Sequence, residues 1–233
     1  MHSILSGQAA SPFSSWLVAS NHQFIACNKP AGLPVQPDKT TDTSLLALAT
    51  AYCRQPLDIV NRIDRPVSGL VLFAKKKSSV AFLNQQFQER EVEKSYLAIV
   101  GNMPPATSDE VVHYLRNNGT TNRTRVADTA FPGALEARLK YQYIGSSDRY
   151  HLLLVKLLTG RHHQIRAQLA QLGCPVRGDV KYGFKRANAD RSIDLHSWQL
   201  GFKRPVTNEW QLLTAPPPVT PVWQAFADKI AGL

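Results

Sequence analysis

From Leu135 to Tyr143 the chain alternates, with Leu135, Ala137, Leu139, Tyr141 and Tyr143 on one side of an extended backbone. Tyr150–Leu158 is a second strand-like run close behind, and Gly145-Ser146-Ser147-Asp148 between them has turn chemistry. A two-residue period commits this stretch to a sheet with one covered face, and the short connection makes it a hairpin. Something else in the chain must cover that face.

Other segments supply both strands and cover. Phe24–Asn28 is a short apolar run that enters a rigid turn at Lys29-Pro30-Ala31-Gly32-Leu33-Pro34. Leu70–Ala74 and Lys94–Val100 read as buried strands. Asp42–Tyr52 is helical in pattern, and Val80, Leu83 and Phe87 mark a second helix by their spacing. Ile165, Leu169 and Leu172 mark a third, with Gly173 as its stop. Thr220 caps a last helix that starts at Pro221 and carries Val222, Phe226 and Ile230 on one side. Residues 101–132 are polar and turn-rich, so a surface excursion is expected there. Strands and helices alternate irregularly, which favours an α+β fold over a regular doubly wound array. No internal repeat or interdomain linker breaks the chain.

Charge narrows the partner. Lys and Arg number 27 against 17 Asp and Glu, a formal net charge of +10. Such a surface attracts polyanions, nucleic acid first among them. Cys27, Cys53 and Cys174 are far apart and form no CxxC pair, which argues against a disulfide framework and a structural zinc site and fits a reducing, cytoplasmic setting. Residues 1–23 do not resemble a secretory signal, and no apolar stretch approaches membrane-spanning length, so no membrane partner is expected.

The motifs are more specific. Asn61-Arg62-Ile63-Asp64-Arg65-Pro66-Val67-Ser68-Gly69-Leu70 resembles the catalytic segment of the RluA-like RNA pseudouridine synthases, whose typical form is HRLDRxTSG. Asn28–Leu33 resembles that family's NKPxGL segment, Lys94–Val100 its KxYxAxV segment, and Leu158–Arg166 its TGRxHQIR segment. Gly178–Gly183 follows as GDxxYG, and Leu195–Phe202 resembles the closing LHAxxLxF region. The segments run in order over nearly the whole chain. Asn61 replaces the usual histidine, Val67 the usual threonine, and Arg204-Pro205 a late histidine-proline.

The resemblance implies a pseudouridine synthase catalytic fold: a mixed, mainly antiparallel β-sheet with flanking helices and a central RNA-binding cleft. It would occupy residues 24–233, with residues 1–23 an N-terminal extension too short for an added RNA-binding domain. It implies site-specific isomerisation of uridine to pseudouridine in structured RNA, with ribosomal RNA, the commoner family substrate, ahead of transfer RNA. No cofactor or metal is expected, because the rearrangement has no net redox change, and no obligate protein partner is implied.

Site residues follow from the same resemblance. Asp64 is the expected catalytic carboxylate, attacking a carbon of the nucleoside or taking a ribose proton; a helix cap or ion pair is its bland alternative. Arg161 is expected to hold Asp64 ionised, or else to meet an RNA phosphate. Tyr96 is expected to face the target uracil rather than only pack in the core. Arg62 is the expected base-flipping assistant, with a structural ion pair as the alternative. Arg65, Arg166 and Lys29 would extend the positive RNA track. His162 and His163 have no metal-ligand spacing and suit packing, backbone hydrogen bonding or RNA contact; His196 reads as supporting structure. Two other functions fit the composition: an RNA-binding protein that keeps the scaffold without catalysis, and a soluble hydrolase.

Overall fold

The computed structural model describes residues 12–38, 40 and 42–233. The chain runs through β1 (Leu17–Ser20), β2 (Phe24–Lys29), α1 (Leu45–Cys53), β3 (Asp58–Ile59), β4 (Ser68–Ala74), α2 (Lys77–Glu89) and β5 (Glu93–Val100). It continues through β6 (Ser108–Asn118), β7 (Arg123–Ala127), β8 (Leu135–Ser146), β9 (His151–Leu157), α3 (Gln164–Gln171), β10 (Leu195–Lys203), β11 (Trp210–Thr214), α4 (Pro221–Gln224) and α5 (Ala227–Ala231). Tighter helical turns stand at Pro12–Trp16 and Val180–Tyr182.

Among the described residues eleven strands form one mixed sheet in the order β1-β2-β4-β10-β5-β9-β8-β6-β7, with β11 on β10 and β3 on β4. Every pairing is antiparallel except β4 with β10, which is parallel and short: Ser68 faces His196 and Gly69 faces Ser197. The fold is α+β, with helices on both faces.

Alternation along the central strands explains that cover. In β4, Leu70, Leu72 and Ala74 join one apolar cluster with Leu83 of α2, while Val71 and Phe73 join another with Leu45 and Ala49 of α1. In β5, Tyr96, Ala98 and Val100 pack with Ile165 and Leu169 of α3, while Leu97 and Ile99 meet Trp223 and Phe226 from the C-terminal segment. Each fully buried Leu or Phe contributes about 1.5–3 kcal/mol by leaving water, so the successive side chains of a central strand stabilise two separate helix–sheet interfaces.

The hairpin of β8 and β9 is present, pairing from Leu139↔Leu157 to Ser146↔His151 with a register shift between Tyr143 and Gly145. Residues 101–132 differ from the expected excursion, because β6 and β7 extend the sheet there. Val111, His113 and Leu115 of β6 point inward, and the exposed Ser108, Asp109, Glu110, Arg116, Asn117 and Asn118 at its two ends give the strand its polar composition. The C-terminal helix is also not continuous. Phe226, at φ −115° and ψ 8°, divides α4 from α5, and Trp223 and Phe226 are both buried. Within the expected extension 1–23, residues 1–11 lie outside the described residues, while Phe13 is buried and β1 pairs with β2.

Candidate active site

Asp64 lies in the loop between β3 and β4, and several clips hold that loop. Asn61 binds the edge of β4: its Oδ1 accepts from Leu72 N at 2.7 Å and its Nδ2 donates to Leu70 O at 3.3 Å. Val67 N donates to Asp64 O at 3.0 Å, closing a tight turn. Beyond it, Gly69 has φ +115°, and a Cβ there would stand 2.3 Å from Ser197 O, so the close parallel contact with β10 requires glycine. Ser68 Oγ meets His196 Nδ1 at 2.9 Å, and His196 Nε2 lies 3.0 Å from Ala215 O, so the histidine bridges strands from within the core. Burial lowers its pKa to about 4, although the Ala215 carbonyl opposes this.

Lys29 ties the loop from below. Its side chain is fully buried, and Nζ donates to Pro30 O at 2.9 Å, Leu33 O at 2.9 Å and Arg65 O at 3.2 Å. Three ammonium protons meet three carbonyls, so its expected place on an RNA track is corrected: no donor is left to face solvent. Burial lowers its pKa to about 7, with the Asp64 carboxylate pulling the other way. Arg65 locks the same turn, donating from Nε to Gly32 O at 2.8 Å and pairing at its tip with Asp38 and Asp42. Arg62 is exposed and donates to Gln36 Oε1 at 3.1 Å.

The cation on Asp64 comes from α3. Arg166 Nη1 donates to Asp64 Oδ2 at 2.9 Å, while Nε and Nη2 grip Asp179 at 2.6 and 3.0 Å. The Arg166 side chain is 5% exposed and Asp179 1%, against 28% for Asp64. Burial works against the guanidinium's charge, but its bonds to the two carboxylates outweigh this and raise its pKa. Its Cζ also lies 5.1 Å from the centre of the Tyr182 ring. Arg166 is therefore no surface RNA contact. Arg161, expected to hold Asp64, does not: it precedes the helix, and its Nε donates to Glu136 O at 3.0 Å. Position relative to α3 decides between the two arginines: Arg166 lies within the helix, whose residues 164–169 are all buried, whereas Arg161 stands before its first turn.

His163 completes the surround. It is 8% exposed, at φ +51°, with Nε2 3.5 Å from Asp64 Oδ2 and Nδ1 2.8 Å from the Tyr182 hydroxyl. Burial lowers its pKa to about 3, against the pull of Asp64. The exposed His162 stacks on it at 3.7 Å. Both near contacts of Asp64 fall on Oδ2, and among the described residues no hydrogen bond reaches Oδ1. Sequence reasoning left His163 without a specific role, although its place three residues before Arg166 puts both on one turn of chain.

Tyr96 stands on β5 opposite Ser197 and is 9% exposed. Its pKa is pushed up to about 12, first by burial and further by the Asp64 carboxylate, with a hydrogen bond to Ser197 opposing. Asp64, Tyr96 and the His163–Arg166 turn thus come from three separated segments into one electrostatically linked centre. Among the described residues no three His, Cys, Asp or Glu side chains are grouped to hold a metal, and no helix is long and apolar enough to cross a membrane.

Comparison with known proteins identifies the family and the fold. The RNA pseudouridylate synthase family model matches residues 23–171. An uncharacterized RNA pseudouridine synthase of Chloroflexus aurantiacus is 37% identical over 203 residues; the match covers 82% of this chain and only 62% of that protein's length. The dual-specificity RNA pseudouridine synthase RluA of Pasteurella multocida is 31% identical over 219 residues, 86% of this chain and 92% of that protein. In fold, the solved structure of human RNA pseudouridylate synthase domain containing 4 superposes with a TM-score of 0.73 at 22% identity, covering 94% of each chain. With the family matched over most of the sequence and a relative aligned along nearly its full length, this chain belongs to the RluA-like RNA pseudouridine synthases.

Proposed function

We propose that this chain isomerises uridine to pseudouridine at a defined site in structured RNA, with Asp64 as the carboxylate that starts the reaction. One observation carries the proposal: Asp64 is partly open to solvent, its Oδ2 is held by a buried arginine, and its Oδ1 is free of hydrogen bonds among the described residues. A carboxylate fixed by one oxygen presents the other in a constant direction, which is what attack on the nucleoside or removal of a ribose proton needs. The N1–C1′ bond then breaks, the base turns, and C5 bonds to C1′. The C5 proton is lost and N1 gains one, so composition is unchanged.

Tyr96 supplies a face for the uracil. Its hydroxyl stays protonated at neutral pH, because burial and Asp64 hold its pKa high; its part is stacking and hydrogen bonding rather than proton abstraction. Arg62, exposed beside Asp64, is placed to contact phosphate or the space left by the flipped base. Arg123 and Arg125 line a cavity of about 470 Å³ that Tyr182 also borders and extend positive charge along the surface. Ribosomal RNA is the first candidate substrate and transfer RNA the second.

The test is pseudouridine mapping across total RNA from matched wild-type and Asp64→Ala cells, followed by purified protein on the unmodified RNA. A site present with wild type and absent with the variant names the target and its RNA class. Equal modification by the Asp64→Ala protein would overturn the role of Asp64, and purified wild type that leaves every RNA unchanged would overturn the activity.

A further inference from the structure

We infer that His163 is a positioning residue for Asp64: its Nε2–H, set by the Tyr182 hydroxyl, closes on Oδ2 when RNA fills the site and leaves Oδ1 as the reacting oxygen. The inference rests on Asp64 being the reacting carboxylate. Its first support is the ring's orientation. Nε2 faces Asp64 Oδ2 at 3.5 Å, where a bare nitrogen lone pair would be repelled by the carboxylate, so this nitrogen carries the hydrogen. Nδ1 is then the acceptor, and the Tyr182 O–H at 2.8 Å donates to it. The Tyr182 oxygen is itself anchored by the backbone N–H of Thr124, also at 2.8 Å.

A second support is how much structure fixes the ring. His163 sits at φ +51°, a left-handed conformation that costs a non-glycine residue free energy and persists where the surroundings impose it. Its imidazole is stacked on His162 and meets the Tyr182 ring edge-on, at 5.6 Å and 88°. Tyr182 also underlies Arg166, so one aromatic ring braces both groups that converge on Oδ2. At 3.5 Å the contact with Asp64 is longer than a good hydrogen bond, and a shift of about 0.5 Å would close it; contacts of this kind commonly tighten only when substrate is bound.

The experiment uses the full chain and an unmodified transcript carrying the mapped site, in single-turnover reactions with RNA affinity measured in parallel. His163→Leu removes the donor, and is expected to slow the chemical step about 10- to 100-fold with RNA affinity within about twofold of wild type. His163→Gln restores an N–H near the Nε2 position and is expected to recover most of the rate. Wild-type rate in His163→Leu overturns the inference, as do equal losses in the Leu and Gln variants. If His163→Leu does not fold, Tyr182→Phe replaces it, keeping the ring and removing only the hydroxyl. That variant should react more slowly at unchanged RNA affinity, and an unchanged rate overturns the inference. The Asp64→Ala arm separates the two readings: a wild type without activity ends the isomerase proposal, whereas an active wild type, a dead Asp64→Ala and a fully active His163→Leu end only this one.

Discussion

Arg166 grips Asp179 with two hydrogen bonds, at 2.6 and 3.0 Å, and gives Asp64 only one, at 2.9 Å. The buried carboxylate orients the guanidinium, and the spare Nη1 reaches the partly exposed one. Arg166→Met strands Asp179 without a counter-charge, and should cost about 3–5 kcal/mol of stability in urea unfolding. Adding Asp179→Leu removes both charges and should return most of that stability, yet leave pseudouridine formation near background. Recovery of activity together with stability would show that Arg166 only supports the fold.

Arg161 gives the opposite expectation. Its Nε meets a backbone carbonyl of Glu136, away from Asp64. Arg161→Ala should change stability by no more than about 1 kcal/mol and leave the single-turnover rate well above that of Arg166→Ala. An equal loss in the two variants would place Arg161 beside Asp64 in the RNA-bound state.

Lys29 sets a pH dependence whose sign is fixed. Its folded pKa of about 7 lies below the 10.5 of an unburied lysine, chiefly because of burial. Between those values the unfolded chain holds a proton that the folded chain has released, so the Lys29 contribution to stability rises with pH from about 7 to 10.5 and is lowest below 7. Urea midpoints from pH 6 to 10 should rise more steeply for wild type than for Lys29→Met. Parallel curves would mean that the amine keeps its ordinary pKa.

Two glycines separate crowding from backbone strain. At Gly69 an added Cβ would lie 2.3 Å from the Ser197 carbonyl, while at Gly32, φ +86°, nothing lies within 4 Å. Gly69→Ala should therefore cost more than about 4 kcal/mol or prevent folding, and Gly32→Ala only about 1–2 kcal/mol of strain. Thermal melting of the two proteins checks the ranking; equal costs would remove the argument from the β4–β10 contact.

Much of this was legible before any coordinates. The β8–β9 hairpin was marked by a two-residue period, and Asp64 by a ten-residue motif. The β6–β7 pair was hidden because its inward residues are few and most of its outward ones polar or charged, so tertiary pairing made strands that local composition did not announce. Arg161 and Arg166 share one motif, and only the fold tells that the first stands before α3 while the second is buried within it against Asp179. Lys29 looked like a surface cation, because sequence cannot show that three carbonyls converge on one amine.

Asp64 and Arg166 are 102 positions apart along the chain, and Asp179 lies another 13 beyond. During synthesis the loop bearing Asp64 leaves the ribosome long before Arg166, its counter-charge, and Asp179, which orients that arginine. A nascent chain stalled anywhere in between carries the carboxylate without its grip. The Asp64–Arg166–Asp179 arrangement therefore forms late, after α3 and the turn that follows it have been made.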